Sequence, residues 1–277
     1  MAPGAPAVAG AGFNRRVTEP PQQPPAPPGG GRVPRSRVWY GLLHKAEHAA
    51  VRGARGAGLP AWQRHTPGER RWPVTLSVIA AVVLQVILPD QLGLLPRFLL
   101  PSLEVALLAG MVIANPVRIE RRSRAMRLAS IVLIFLISAA NATSAVLLIR
   151  AILRGTAGPS APQLLATGGA VWATNVLVFA LWYWEFDRGG PVHRAHGTFQ
   201  IADLLFPQMA SPELAAPDWE PMFVDYLYMS FTNATAFSPT DVMPLARWAK
   251  LTMLVQSAVS LAVGVLVIAR AVNILPS

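Results

Sequence analysis

The sequence predicts an all-α protein: a polytopic transmembrane helical bundle of five spans, with a re-entrant, pore-like helix before the last span. Three observations predict it. Apolar residues make up 53% of the 277-residue chain and charged residues only 14%, with a mean hydropathy of +0.40. That balance suits a membrane bundle and not a soluble enzyme. Five segments are apolar over lengths near the ~20 residues that a ~30 Å hydrocarbon core requires. Finally, the stretch Asp225–Trp248 (DYLYMSFTNATAFSPTDVMPLARW) is too apolar for a loop and too interrupted to cross a bilayer.

The elements follow in order. Residues 1–35 are a low-complexity arm rich in proline and glycine. They cannot bury enough apolar surface to offset ordering, so disorder is expected. Residues 36–73 form a basic juxtamembrane segment, and residues 74–277 the transmembrane domain. Its spans are expected at about 74–89, 98–114, 128–153, 164–184 and 248–272, with the re-entrant helix at 225–240. The first two spans are short and read as a tight hairpin joined over Asp90–Arg97. No apolar h-region precedes Val74, so the first span is expected to serve as its own insertion signal. The chain has no cysteine, which excludes disulfides, thiolate metal sites and thiol catalysis.

Net charge is +10, concentrated in the N-terminal segment and in Arg118–Arg127, where five arginines face one glutamate. Such charge often marks nucleic-acid binding. Here it flanks membrane spans, as the positive-inside rule requires. The N-terminus is therefore expected in the cytoplasm of a cell with this protein in its inner (plasma) membrane, multi-pass. The Glu185–Asp225 loop and the re-entrant segment fall on the same side, although that loop carries seven carboxylates against Arg188 and Arg194. Acidic residues have little topogenic weight.

Within 225–248 the local rules are specific. Pro221 is suited to open a short helix, and Tyr226, Leu227, Met229, Phe231 and Ala234 make it apolar. Pro239 is expected to end it. Thr240 or Asp241 is placed to cap the next helix, which Pro244 helps to start. The C-terminal end of the short helix carries partial negative charge, which favours a cation.

Anchored on Asp241 and Pro244, this stretch resembles the pore helix, filter and inner-helix start of potassium channels. Ser230, Ala234, Thr235, Trp248 and Leu251 fall in matching places, and Lys250 where a basic residue is common. The filter itself departs: Ala236-Phe237-Ser238-Pro239-Thr240 stands where the family has Thr-Val-Gly-Tyr-Gly. Without both glycines, successive carbonyls cannot all turn to one axis. LWYWEFDRGG (Leu181–Gly190), Phe206-Pro207, DYLYMSF (Asp225–Phe231) and AVNIL (Ala271–Leu275) also resemble a family of uncharacterised bacterial integral membrane proteins. That likeness implies a shared fold and no established activity.

The functional expectation is a channel-like protein passing a monovalent cation through an oligomeric, tetrameric pore. Candidate pore-lining residues are Thr235, Phe237, Ser238, Thr240 and Asp241. Glu104, a carboxylate inside the second span, supports an alternative, a proton-coupled secondary transporter. A third reading is a non-conducting scaffold or sensor acting through its basic tail. Gln85, Asn141, Thr143, Asn175 and Gln256 are expected to hydrogen-bond between helices. Trp182, Tyr183 and Trp184 read as an interfacial aromatic belt. His193 and His196, with Asp187 and Asp203 nearby, have loose metal-ligand spacing but read better as a solvated loop. No nucleophile elbow or phosphate-cradling glycine loop occurs. No enzyme activity, cofactor, metal or nucleic-acid partner is expected; the partners are lipid and further copies of the chain.

Overall fold

The computed structural model describes residues 60–93, 95–114, 123–157, 160–197, 201–235 and 241–274. All belong to one compact unit, Gly53–Ser277. The arm and most of the basic segment, together with Phe237, Ser238 and Thr240, lie outside the described residues.

The architecture is helical. The elements are α1 (Trp72–Ile87), α2 (Leu99–Ala114), α3 (Arg124–Leu153), α4 (Ala161–Phe186), α5 (Pro191–Ala195), α6 (Pro207–Ala210), α7 (Phe223–Thr235) and α8 (Arg247–Ile274). A two-residue antiparallel ladder joins β1 (Leu204–Leu205) to β2 (Met243–Pro244). Three helices are long and apolar enough to cross a membrane: α3, α4 (extended through Gly189) and α8. Their ends lie within a few residues of the expected spans. Helices α1 and α2, of 16 residues each, are shorter apolar helices; each is about 24 Å long, below the ~30 Å core. Arg97 pairs with Asp90 and donates to the Val86 carbonyl, closing the end of α1 and fixing its turn toward α2.

Helix α4 is the axis of the bundle and touches α1, α3, α7 and α8. Its partners run antiparallel to it. Ser130 and Ser138 of α3 bond Glu185 and Trp182. On α8, Trp248 packs on Phe186, Gln256 bonds Tyr183, and Ser260 bonds Asn175. At Gly168 a Cβ would stand 2.6 Å from Val267, so the missing side chain is what lets α8 close on α4. Two apolar clusters result. One surrounds the C-terminal half of α4 (Leu181, Tyr226, Met229, Ala249), the other its N-terminal half (Leu164, Val171, Leu148, Val267).

Helix α7 opens at Phe223, beyond Pro221. There Asp225 accepts a hydrogen bond from the Met222 N–H. It runs back along α4: Tyr226 bonds Asp187, Ser230 bonds the Val176 carbonyl, and the Ala234 carbonyl accepts from Trp172. The chain then returns, since Pro244 pairs with Leu204 and Trp248 meets Phe186. Pro244 thus does not start the last helix. It sits in the short ladder, an edge position where a missing N–H is tolerated, and α8 begins at Arg247.

Candidate functional site

Two polar interiors meet along α4. The first is an ionic knot where α4 ends. Asp187 begins a helical turn in which Arg188 holds a positive φ of 50°. A non-glycine residue there costs about 1 kcal/mol or more. The distortion is held by contacts on every side. The Arg188 N–H donates to Asp203 Oδ2 at 2.8 Å, its Nη1 to the Trp62 carbonyl at 2.7 Å, and its Nε to Asp187 Oδ2 at 3.2 Å. Gly190 follows at φ 97°, where a Cβ would lie 2.8 Å from the Glu185 carbonyl. That turn sends α5 back across the end of the bundle and carries Arg194 into it.

Arg194 is the centre of the knot. Its Nη2 donates to Glu69 Oε1 at 2.8 Å, and its Nη1 to the carbonyls of Trp184 (2.6 Å) and Asp187 (3.0 Å). Its guanidinium lies 5.8 Å from the Trp184 ring centre and 5.1 Å from that of Tyr226. Glu69 takes a second bond, from the Trp184 indole, and Tyr226 donates to Asp187 Oδ2 at 2.7 Å. Burial alone lowers the Arg194 pKa. The Glu69 and Asp187 carboxylates, the first also hydrogen-bonded to it, oppose that, and the net shift is upward, so the side chain stays charged. Asp187 is fully buried, and its Oδ1 has no hydrogen-bond partner among the described residues.

The second interior is a ladder of neutral groups. Gln256, fully buried on α8, accepts from Tyr183 (2.7 Å) and Asn233 (2.8 Å) and donates to the Ser230 carbonyl and hydroxyl. Asn175 reaches Ser260 at 2.8 Å, and Asn233 also bonds the Met253 carbonyl. One amide therefore ties α4, α7 and α8 together. Gln85, Asn175 and Gln256 do bond between helices, as expected; the Asn141 oxygen is buried with no partner among the described residues.

Of the candidate pore-lining residues, Thr235 and Asp241 are among the described ones. Thr235 turns its hydroxyl back to the Thr232 carbonyl at 2.7 Å, and Asp241 is exposed on the returning arm. Glu104 is fully buried on α2, far along the sequence from both. It accepts from Gln85 of α1 at 3.2 Å, while its second oxygen has no partner among the described residues.

Two expectations are corrected. The Trp182–Trp184 run is not an interfacial belt: Tyr183 and Trp184 are buried, and the three polar atoms go to Ser138, Gln256 and Glu69. Consecutive residues point to different faces of α4, and α4 is surrounded. Nor is the loop after Glu185 merely solvated, since Asp187, Arg188 and Arg194 are buried in it. His196 contacts the Val192 carbonyl and packs on His65. Among the described residues no group of three or more His, Cys, Asp or Glu could hold a metal ion.

Beside the knot a cavity of about 430 Å³ opens between α1, α3 and α4. Comparison with protein-family models, curated proteins and solved structures returns no match. The functional reading therefore rests on the residues themselves.

Proposed function

We propose that this chain is a channel-like integral membrane protein of the plasma membrane. In this reading the 223–246 segment dips into the bilayer from the cytoplasmic side and returns, and several copies gather these segments around a cation path. Helices α1 and α2 then complete a five-span count. The observation that carries the reading is the register of α7. It starts where α4 ends, its Asn233 reaches Gln256, and yet α8 begins back beside Phe186. A helix of 13 residues is about 20 Å long and cannot cross a ~30 Å core. Non-helical backbone at that depth is tolerated where protein or a water-filled path surrounds it. The Asp241-x-x-Pro244 likeness to potassium channels supports the same reading. The substituted filter argues for a path that does not use a carbonyl ladder.

The face of α7 turned from the bundle carries Val224 and Tyr228, both exposed in the single chain, with half-exposed Phe231 at its edge against Trp172. In an oligomer this face meets the axis or a neighbouring copy. The test is native mass spectrometry of the full chain from nanodiscs, with cation flux in proteoliposomes. The expected result is a tetramer whose flux is blocked when Ser238→Cys is labelled by an impermeant thiol reagent from one side. A monomer without flux overturns the proposal.

A specific observation keeps a second reading. Glu104 is a buried carboxylate with a single amide donor. Such groups mark proton or ion paths in membranes. If it carries protons, Glu104→Gln abolishes a pH-driven flux while assembly is unchanged; flux that survives the substitution removes this reading.

A further inference from the structure

The cavity between α1, α3 and α4 sorts its lining by depth. Exposed Arg124 and Arg127 and half-buried His193 line its open side, buried Arg71 stands further in, and the buried wall carries Val78, Leu108, Leu133, Ile134 and Leu181. One carboxylate lines it, Glu185. That group accepts from Ser130 at 2.8 Å and lies 3.9 Å from Arg127, and it stands against three lining arginines. From Arg124 to Ile134 along α3 is about 15 Å at helical rise. The volume of about 430 Å³ falls in the range of small-molecule sites. A sugar or nucleotide would leave its polar groups unpaired against the aliphatic interior. A simple anion would leave the interior unused.

We propose that this cavity binds an anionic phospholipid of the cytoplasmic leaflet. The phosphate sits among Arg71, Arg124 and Arg127, and part of one acyl chain lies between α1, α3 and α4. Guanidinium groups match phosphate with paired, charge-assisted hydrogen bonds, and basic pockets between helices on this side of a membrane meet an anionic leaflet. The wall is built before the lipid arrives. Trp184 lines the cavity and is pinned from behind by Glu69, while its carbonyl holds Arg194. The ionic knot thus acts as a brace for a binding surface, which lowers the ordering cost of binding. The inference does not depend on ion conduction.

The experiment uses the delipidated full-length chain in neutral detergent. Short-chain phosphatidylglycerol, phosphatidylcholine and glycerol 3-phosphate are titrated separately, with melting temperature and native mass spectrometry as readouts. Phosphatidylglycerol is expected to bind at least about ten-fold more tightly than phosphatidylcholine, and glycerol 3-phosphate to give no shift. Arg124 is exposed, so R124Q preserves packing; it is expected to weaken phosphatidylglycerol about five-fold, the worth of one arginine at an anionic surface. V74W, at a half-buried lining position, should block binding of the acyl chain. Equal binding of the two lipids overturns the proposal. So does glycerol 3-phosphate matching the lipid, or R124Q and V74W both folding and binding phosphatidylglycerol like the unmodified chain.

Discussion

The knot around Arg194 and the ladder around Gln256 solve one problem in different ways. Both fasten α7 to α4, one at the end of α4 and one along its middle. At the end, full charges are used: Glu69, Asp187, Arg188 and Arg194, each held by an opposite charge or several donors. Along the middle only amides and hydroxyls appear, and each bond there is neutral. A buried charge must be matched or its desolvation is ruinous. A neutral amide network costs less than a charge to bury and less to lose. The difference teaches where the protein can tolerate error. The end of α4 is intolerant, and its middle is forgiving.

Substitutions can break that contrast or sharpen it. The largest effect is expected from Arg194→Met, which strands the Glu69 carboxylate and leaves the Trp184 and Asp187 carbonyls without their donor, and should cost about 3–5 kcal/mol in denaturant unfolding. Lysine should rescue little, because it lacks the fork that spans Glu69 and two carbonyls. Gln256→Leu removes one partner each from Tyr183, Asn233 and Ser230. It should cost about 2–3 kcal/mol, less than the knot although it severs more bonds. An equal or larger loss than Arg194→Met would overturn the contrast. Gly168→Ala tests packing alone at the α4–α8 approach, with an expected loss of about 1–2 kcal/mol. Glu104→Gln should change stability by less than about 1 kcal/mol, since an amide can still bond Gln85. A large loss there would mean that the Glu104 charge is structural.

The three long helices were legible because α3, α4 and α8 are each an unbroken apolar run. The ladder was partly legible too, because Asn175 and Gln256 are polar residues inside such runs and have few places to go except a neighbouring helix. The knot was not. Glu69 and Arg194 are 125 residues apart and both lie in segments whose composition reads as solvated. Only the fold brings them together. Arginines 71, 124 and 127 read as topogenic charges in the sequence. Their second property, a shared cavity, depends on how the fold sets α1 and α3 beside the Gly189–Gly190 turn. The one signal available beforehand was that turn, two consecutive glycines separated by two residues from an aromatic helix end.

The ladder between Leu204 and Pro244 has a bearing on biogenesis. Asp203 extends it by accepting from the amides of Leu245 and Ala246, so the stretch leading into α8 hangs on chain made well before it. Gln256 and Trp248, which complete the hold on α7 and on Phe186, are translated later still. The short helix therefore leaves the ribosome before its latch exists, and it can settle against α4 in final form only once the last helix has been delivered. Truncation anywhere in α8 ahead of Gln256 should leave α7 accessible to protease while α3 and α4 remain protected.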